Sequence, residues 1–179
     1  MSVFLSKSEI DDKIASNILN LINYRNIKNV DINKTNILSI IKNHEIKVFN
    51  NFLIGFIYDK DLNNFINKLG NYKYDKGILI LDTNEEYKFS KDTLYKKNIN
   101  IFTKNEFYRN LTQTDYYVKH EIIDIEDFKK SYPNILINQL PLILHYDPPI
   151  RYIGGNVGEI VKIYRKNPSG ENIYYRLIK

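Results

Sequence analysis

The chain of 179 residues contains no cysteine. A disulfide framework, a thiolate zinc site and a cysteine nucleophile are therefore all excluded. Tryptophan is also absent, methionine occurs once, and there are only seven glycines and five prolines. With so few breakers, each Gly or Pro cluster is informative about a turn. No run of about 18 apolar residues exists, so no membrane span is expected. The apolar residues Val3, Phe4 and Leu5 are too few for a signal-peptide core. The three histidines, His44, His120 and His145, lie far apart and form no i, i+4 pair, so neither a zinc site nor any other metal or cofactor is expected. The net charge of +5 is modest and lacks the dense basic stripe of a free-standing nucleic-acid binder.

What is present fits a globular protein: 43% hydrophobic and 26% charged residues. The length allows one ordinary domain or two small ones, each able to bury a core. Asn, Ile, Lys and Tyr are abundant and Ala is scarce. That bias marks an AT-rich genome and would suit a large DNA virus or some protists.

The first part of the chain alternates helices and strands. Ser6-Lys7-Ser8-Glu9 is a capping box, and Ile10, Ile14, Ile18, Leu21 and Ile22 recur at helical spacing, which predicts a helix over 7–24. Asp31 is the expected N-cap of a second helix carrying Ile37, Leu38 and Ile41. Residues 46–58 read as strand, turning at Asn50-Asn51. A helix over 59–69 follows, with Gly70 at its C′ position. The apolar run Ile78 to Leu81 predicts a central strand covered on both faces. Ser90 to Tyr95 reads as a capped helix, 98–102 as a strand, and Thr103-x-x-Glu106 as a further capping box. This order implies an α/β layer with some parallel pairing.

The last forty-odd residues read differently. Pro141 and Pro148-Pro149 argue against helix there. Gly154, Gly155 and Gly158 predict turns feeding a strand from Glu159 to Arg165. Asn167-Pro168-Ser169-Gly170 is a turn signature joining that strand to a second, Ile173 to Ile178. Asp147 and Arg151 suggest a turn braced through the carboxylate. Earlier, 126–132 predicts a short helix ended by Pro133. Gly154-Gly155-x-x-Gly158 precedes a strand instead of opening a helix, so it is no dinucleotide fingerprint.

Leu140-Pro141, Asp147-Pro148-x-x-Arg151-Tyr152-x-Gly154, Gly158-x-x-Val161-Lys162-Ile163-x-Arg165 and Ser169-Gly170-x-x-x-Tyr174-Tyr175-Arg176 resemble the assembly domain of subunit 5 of eukaryotic nuclear RNA polymerases and its archaeal counterpart. Val118-Lys119-His120-Glu121-Ile122 occupies the family's Val-Pro-x-His segment, with Lys119 in place of the proline. Residues 1–114 resemble, in topology, the family's N-terminal jaw with its restriction-endonuclease-like core. The resemblance implies an α+β protein: an α/β jaw over 1–114 and a small, mainly-β assembly domain over 115–179, ending in a hairpin. It implies a non-catalytic subunit that docks on the largest polymerase subunit and contacts other subunits, as no homo-oligomer. It further implies weak contact with downstream duplex DNA. The protein would reside with the polymerase, in host cytoplasm or virion if viral and in the nucleus if cellular. Residues expected at the interface or in its support are His120, Asp147, Pro148, Arg151, Tyr152, Lys162, Arg165, Tyr175 and Arg176. Asn156-Val157 departs from the family, which often carries a basic residue before the third glycine.

Lys88, Lys91, Lys96, Lys97 and Lys104 gather positive charge, with Tyr87, Phe89 and Tyr95 interleaved. Lys88 and Lys91 are the expected DNA contacts; one or two phosphate contacts would give a salt slope of only about −1 to −2. Two alternatives belong to other classes. One is a stand-alone protein that mimics the subunit to bind host transcription machinery. The other is a divergent Mg²⁺ nuclease using Asp82 and Glu86-Tyr87-Lys88, where the residue types fit but the spacing between the carboxylates is too short.

Overall fold

Ser6 opens the first helix, α1 (Lys7–Tyr24): its side chain accepts from the Glu9 N–H while Glu9 reaches back to the Ser6 backbone. The structure, a computed structural model, describes residues 5–27, 30–83, 94–115, 117–168 and 170–179. The chain divides into two compact units, Met1–Asn110 and Leu111–Lys179, a few residues ahead of the boundary expected after 114.

In the first unit, α1 buries Ile14, Ile18, Leu21 and Ile22 on one stripe. Helix α2 (Lys34–Asn43) is capped by Asn33, not by Asp31. The Asn33 side chain accepts from the Asn36 N–H, and Asn36 returns the bond. Asn33 thus satisfies an orphan amide that Asp31, two residues earlier, is too far back to reach. Strands β1 (Ile46–Phe49) and β2 (Phe52–Ile57) form a hairpin. Asn50 and Asn51 both take positive φ, 43° and 67°, the geometry of a two-residue hairpin turn. Helix α3 (Leu62–Lys68) is bounded by single 3₁₀ turns. Gly70 falls inside the closing 3₁₀ turn, without the left-handed conformation expected of it; the helix tightens instead of ending in a glycine cap.

Strand β3 (Lys76–Leu81) lies between β2 and β4 (Ile99–Thr103), parallel to both. Ile78, Leu79, Ile80 and Leu81 are all fully buried, as their uninterrupted apolar run predicts for a strand covered on both faces. Gly77 faces Leu53, where a Cβ would stand 2.8 Å from the Leu53 carbonyl oxygen. Helix α4 (Lys104–Arg109) starts from the predicted Thr103–Glu106 capping box. The predicted helix over 90–95 falls largely outside the described residues.

The second unit is built on a sheet in the order β5 (Lys119–Ile123), β7 (Ile160–Asn167), β8 (Gly170–Ile178), β6 (Leu142–Ile143). Between β5 and β6 lies α5 (Ile125–Ser131), which buries Phe128 against Leu140 and Ile160. Between β6 and β7 lies a helix, α6 (Pro148–Ile153). This corrects the expectation that Pro148-Pro149 prevents one. The prolines stand in the first turn, where the missing N–H groups have no helical partner to lose and the fixed φ suits a helix start. Gly154 ends α6 at φ 75°, a left-handed C-terminal position that favours glycine.

Candidate functional site

Asn167 pairs with Gly170 at the end of the β7–β8 hairpin, which sets its register. Cross-strand partners share a face. His120, Ile163, Tyr174 and Arg176 therefore project to one face of the sheet, with Arg165. Lys119, Glu121, Lys162, Tyr164 and Tyr175 project to the other.

On the first face, His120 is buried at 7% exposure. Its Nδ1–H donates to the Val118 carbonyl. Burial pushes its imidazole pKa below the ordinary value; Arg165 and Arg176 add to this, and the Val118 bond and Asp147 oppose it. His120 forms the floor of an open pocket of about 240 Å³ with Ile163, walled by Leu111, Tyr117 and Pro149, with Arg165 at its rim. The Arg165 guanidinium carbon lies 5.3 Å from the Tyr174 ring centroid.

Helix α6 packs beneath the same face. Arg151 is 8% exposed and Tyr152 6%. Arg151 Nε donates to the Tyr146 carbonyl at 3.0 Å and so braces the turn through its backbone. Asp147 is the N-cap and Pro148 follows, exposed. Arg176 Nη1 donates to the Leu142 carbonyl at 3.1 Å and ties β8 to β6. His145 sits in the turn after β6, where its backbone N–H donates to the Lys179 carbonyl at 2.8 Å. Strand β6 is only two residues long, directly after Pro141. In the turn before β7, Glu159 grips Asn156 through both its backbone and side-chain amides, at 2.7 and 3.1 Å. Val157, the other residue that departs from the family, is left 55% exposed.

On the opposite face, Tyr164 Oη donates to Glu121 at 2.7 Å, and Lys119 and Lys162 each bring Nζ to 4.9 Å from the Tyr164 ring centroid. The Tyr164 bond, reinforced by the two lysines, holds the Glu121 carboxyl below the usual range. Tyr175 sits edge-on to Phe128 and hydrogen-bonds Tyr132, 3.3 Å between hydroxyls. Burial and that bond push its phenol up to about 12. Leu142 in β6, and Leu144 and Tyr146 in the segment after it, are exposed. The expected site residues of this unit thus divide between a buried support (His120, Arg151, Tyr152) and exposed positions (Pro148, Arg165). Lys162, Tyr175 and Arg176 are partly buried. Sequence reasoning misses Tyr164, and reads Tyr174 and Glu121 within motifs but not as site residues; the register of the hairpin places both tyrosines.

The first unit brings together a cluster that the sequence did not announce. Asp82 follows β3 and accepts from His44 Nε2 at 3.0 Å, while Lys104 Nζ lies 3.2 Å from its other oxygen. The His44 ring stacks on Tyr58 at 3.9 Å. Burial raises the Asp82 carboxyl pKa, but the bonds from His44 and Lys104 together outweigh it and hold the group below its ordinary value. Lys104, expected among the basic charges of the jaw, is therefore committed to Asp82. Glu86, Tyr87, Lys88 and Lys91 lie outside the described residues. Among the described residues no three His, Cys, Asp or Glu side chains could hold a metal ion, and no helix is long and apolar enough to cross a membrane.

The sheet of the second unit thus carries a buried polar support, His120 and Arg151, beneath a partly exposed face. Comparison with known proteins gives it an identity. The family described as RNA polymerase Rpb5, C-terminal domain, matches residues 109–178. The chain is 45% identical over 64 residues to DNA-directed RNA polymerase subunit Rpo5 of Methanocaldococcus jannaschii, covering 34% of this chain and 81% of that one. It is 43% identical over 67 residues to the Rpo5 subunit of Nitrosopumilus maritimus, covering 35% and 80%. It is 41% identical over 63 residues to that of Sulfolobus acidocaldarius, covering 34% and 75%. The protein is thus a subunit of a DNA-directed RNA polymerase, non-catalytic, with the other polymerase subunits as its partners, and it belongs where that polymerase is found. Within that class, the chain belongs to the RNA polymerase subunit 5 family, Rpb5 and Rpo5.

Proposed function

We propose that this subunit docks on the largest subunit of its polymerase through the assembly domain, 115–179, while the domain over 1–114 forms part of the jaw around downstream DNA. The observation that carries the reading is one of coverage. The Methanocaldococcus relative is 81% covered by a match that takes up only 34% of this chain. A module that makes up most of a polymerase subunit in one organism is sufficient for membership of the assembly there, so the shared module is where docking belongs. The remaining part of this chain is then free to take another task. Its α/β sheet with three parallel strands agrees with a restriction-endonuclease-like jaw core. Lys88 and Lys91 are the proposed phosphate contacts, and phosphodiester chemistry is left to the large subunits.

Deletion of residues 138–179 removes β6, α6, β7 and β8. Copurification of the tagged chain with polymerase should be lost on that deletion and retained in Lys88→Ala/Lys91→Ala. Incorporation of the truncated chain would overturn the docking assignment.

A further inference from the structure

We propose that the pocket between His120 and Arg165 receives a carboxylate-bearing side chain of the partner polymerase subunit, with an apolar residue beside it. The inference rests on the docking reading above and names the chemistry of one contact within it. Arg165 supplies the charge. Among the described residues it has no carboxylate partner, and its guanidinium lies over the Tyr174 ring. It is solvent-exposed at the pocket rim, with its planar fork steered by the ring under it. A guanidinium held this way is preorganised for bidentate pairing with a carboxylate.

The walls supply the second half of the specificity. Leu111, Tyr117, Pro149 and Ile163 are apolar or aromatic; Ile163 is set by β7 and Pro149 by the start of α6, while Leu111 and Tyr117 come from the 3₁₀ turn and loop ahead of β5. About 240 Å³ of space is less than the roughly 300–1,000 Å³ of small-molecule sites and suits one or two side chains of a peptide. Among the described lining residues Arg165 carries the one permanent charge and no carboxylate is present, so the pocket favours an anion. Duplex DNA fits less well: a phosphate track needs a row of cations, and here one guanidinium stands among apolar walls.

The test compares the full chain with Arg165→Glu, Arg165→Gln and Arg165→Lys, each titrated against the largest polymerase subunit from the same source. Arg165 is exposed, so all variants should keep the wild-type circular dichroism spectrum and melting curve. Wild type should bind. Arg165→Glu should weaken binding at least tenfold, Arg165→Gln less and Arg165→Lys least, and the difference should shrink in high salt. Wild-type affinity in Arg165→Glu would overturn the pocket assignment and leave docking standing. Failure of the wild-type chain to bind would bring down both. If Arg165→Glu binds the subunit normally but loses affinity for a duplex DNA probe, the occupant is phosphate and the assignment is wrong.

Discussion

His120 and Asp82 show how single polar side chains are made to serve the fold. Below about 6.5, the ordinary imidazole pKa, an unfolded chain takes up a proton that folded His120 resists because it is buried. Stability should therefore fall as pH drops through that value and be complete above it. Across pH 7 to 5, the urea midpoint of His120→Asn should change less than that of wild type, since Asn can keep a donor to Val118 without titrating. Equal slopes would show that His120 is not the group responsible. Asp82 has the same sign in a lower window. Its folded pKa is depressed by His44 and Lys104, so its contribution is present above the ordinary carboxylate range and lost as pH falls through the folded value. Asp82→Asn should cost about 1–3 kcal/mol at neutral pH, because it weakens the acceptor for two partly buried donors. It should also flatten the acid limb of the stability curve; thermal and urea unfolding from pH 7 to 3 check both.

At the scale of elements, the two sheets are held by different devices. In the first unit, β3 is central and its Gly77 lets the β2 backbone approach. Gly77→Ala would push a methyl into the Leu53 carbonyl at 2.8 Å; because backbone cannot rotate away as a side chain can, we expect a loss of about 1–3 kcal/mol, read by chemical denaturation. An unchanged midpoint would mean that the β2–β3 pair adjusts freely. Much at this scale was legible in the sequence. The span of α1, the Thr103 capping box and the buried run of β3 each follow from residues within one turn or one strand. Two failures share a cause: alternatives that local sequence leaves balanced. Asn33 and Asp31 are both good caps, and only the distance to Asn36 decides. Pro148-Pro149 forbids a helix interior but is welcome in a first turn, and sequence does not say which position the pair will hold. The His44–Asp82–Lys104 cluster was illegible because its members are distant in sequence. Only the parallel register that pairs Leu81 with Thr103 sets the residues after β3 and β4 side by side.

For the molecule as a whole, the chain carries a shared polymerase module and a second α/β unit of its own. That division predicts separable defects. Changes under the assembly sheet, such as Phe128→Ala, should cost about 3–5 kcal/mol of stability in that unit and reduce polymerase incorporation in proportion. Asp82→Asn should leave incorporation at wild-type level, and its loss there would mean that the first unit also holds the subunit in place. The central claim, that this chain is a docked polymerase subunit, is tested most directly by purifying the tagged full-length protein from its native source and identifying what elutes with it at high molecular mass. The account predicts the largest polymerase subunit in near-equal amount, with the other subunits beside it. Recovery of the chain alone, or only with proteins outside a polymerase, would contradict it.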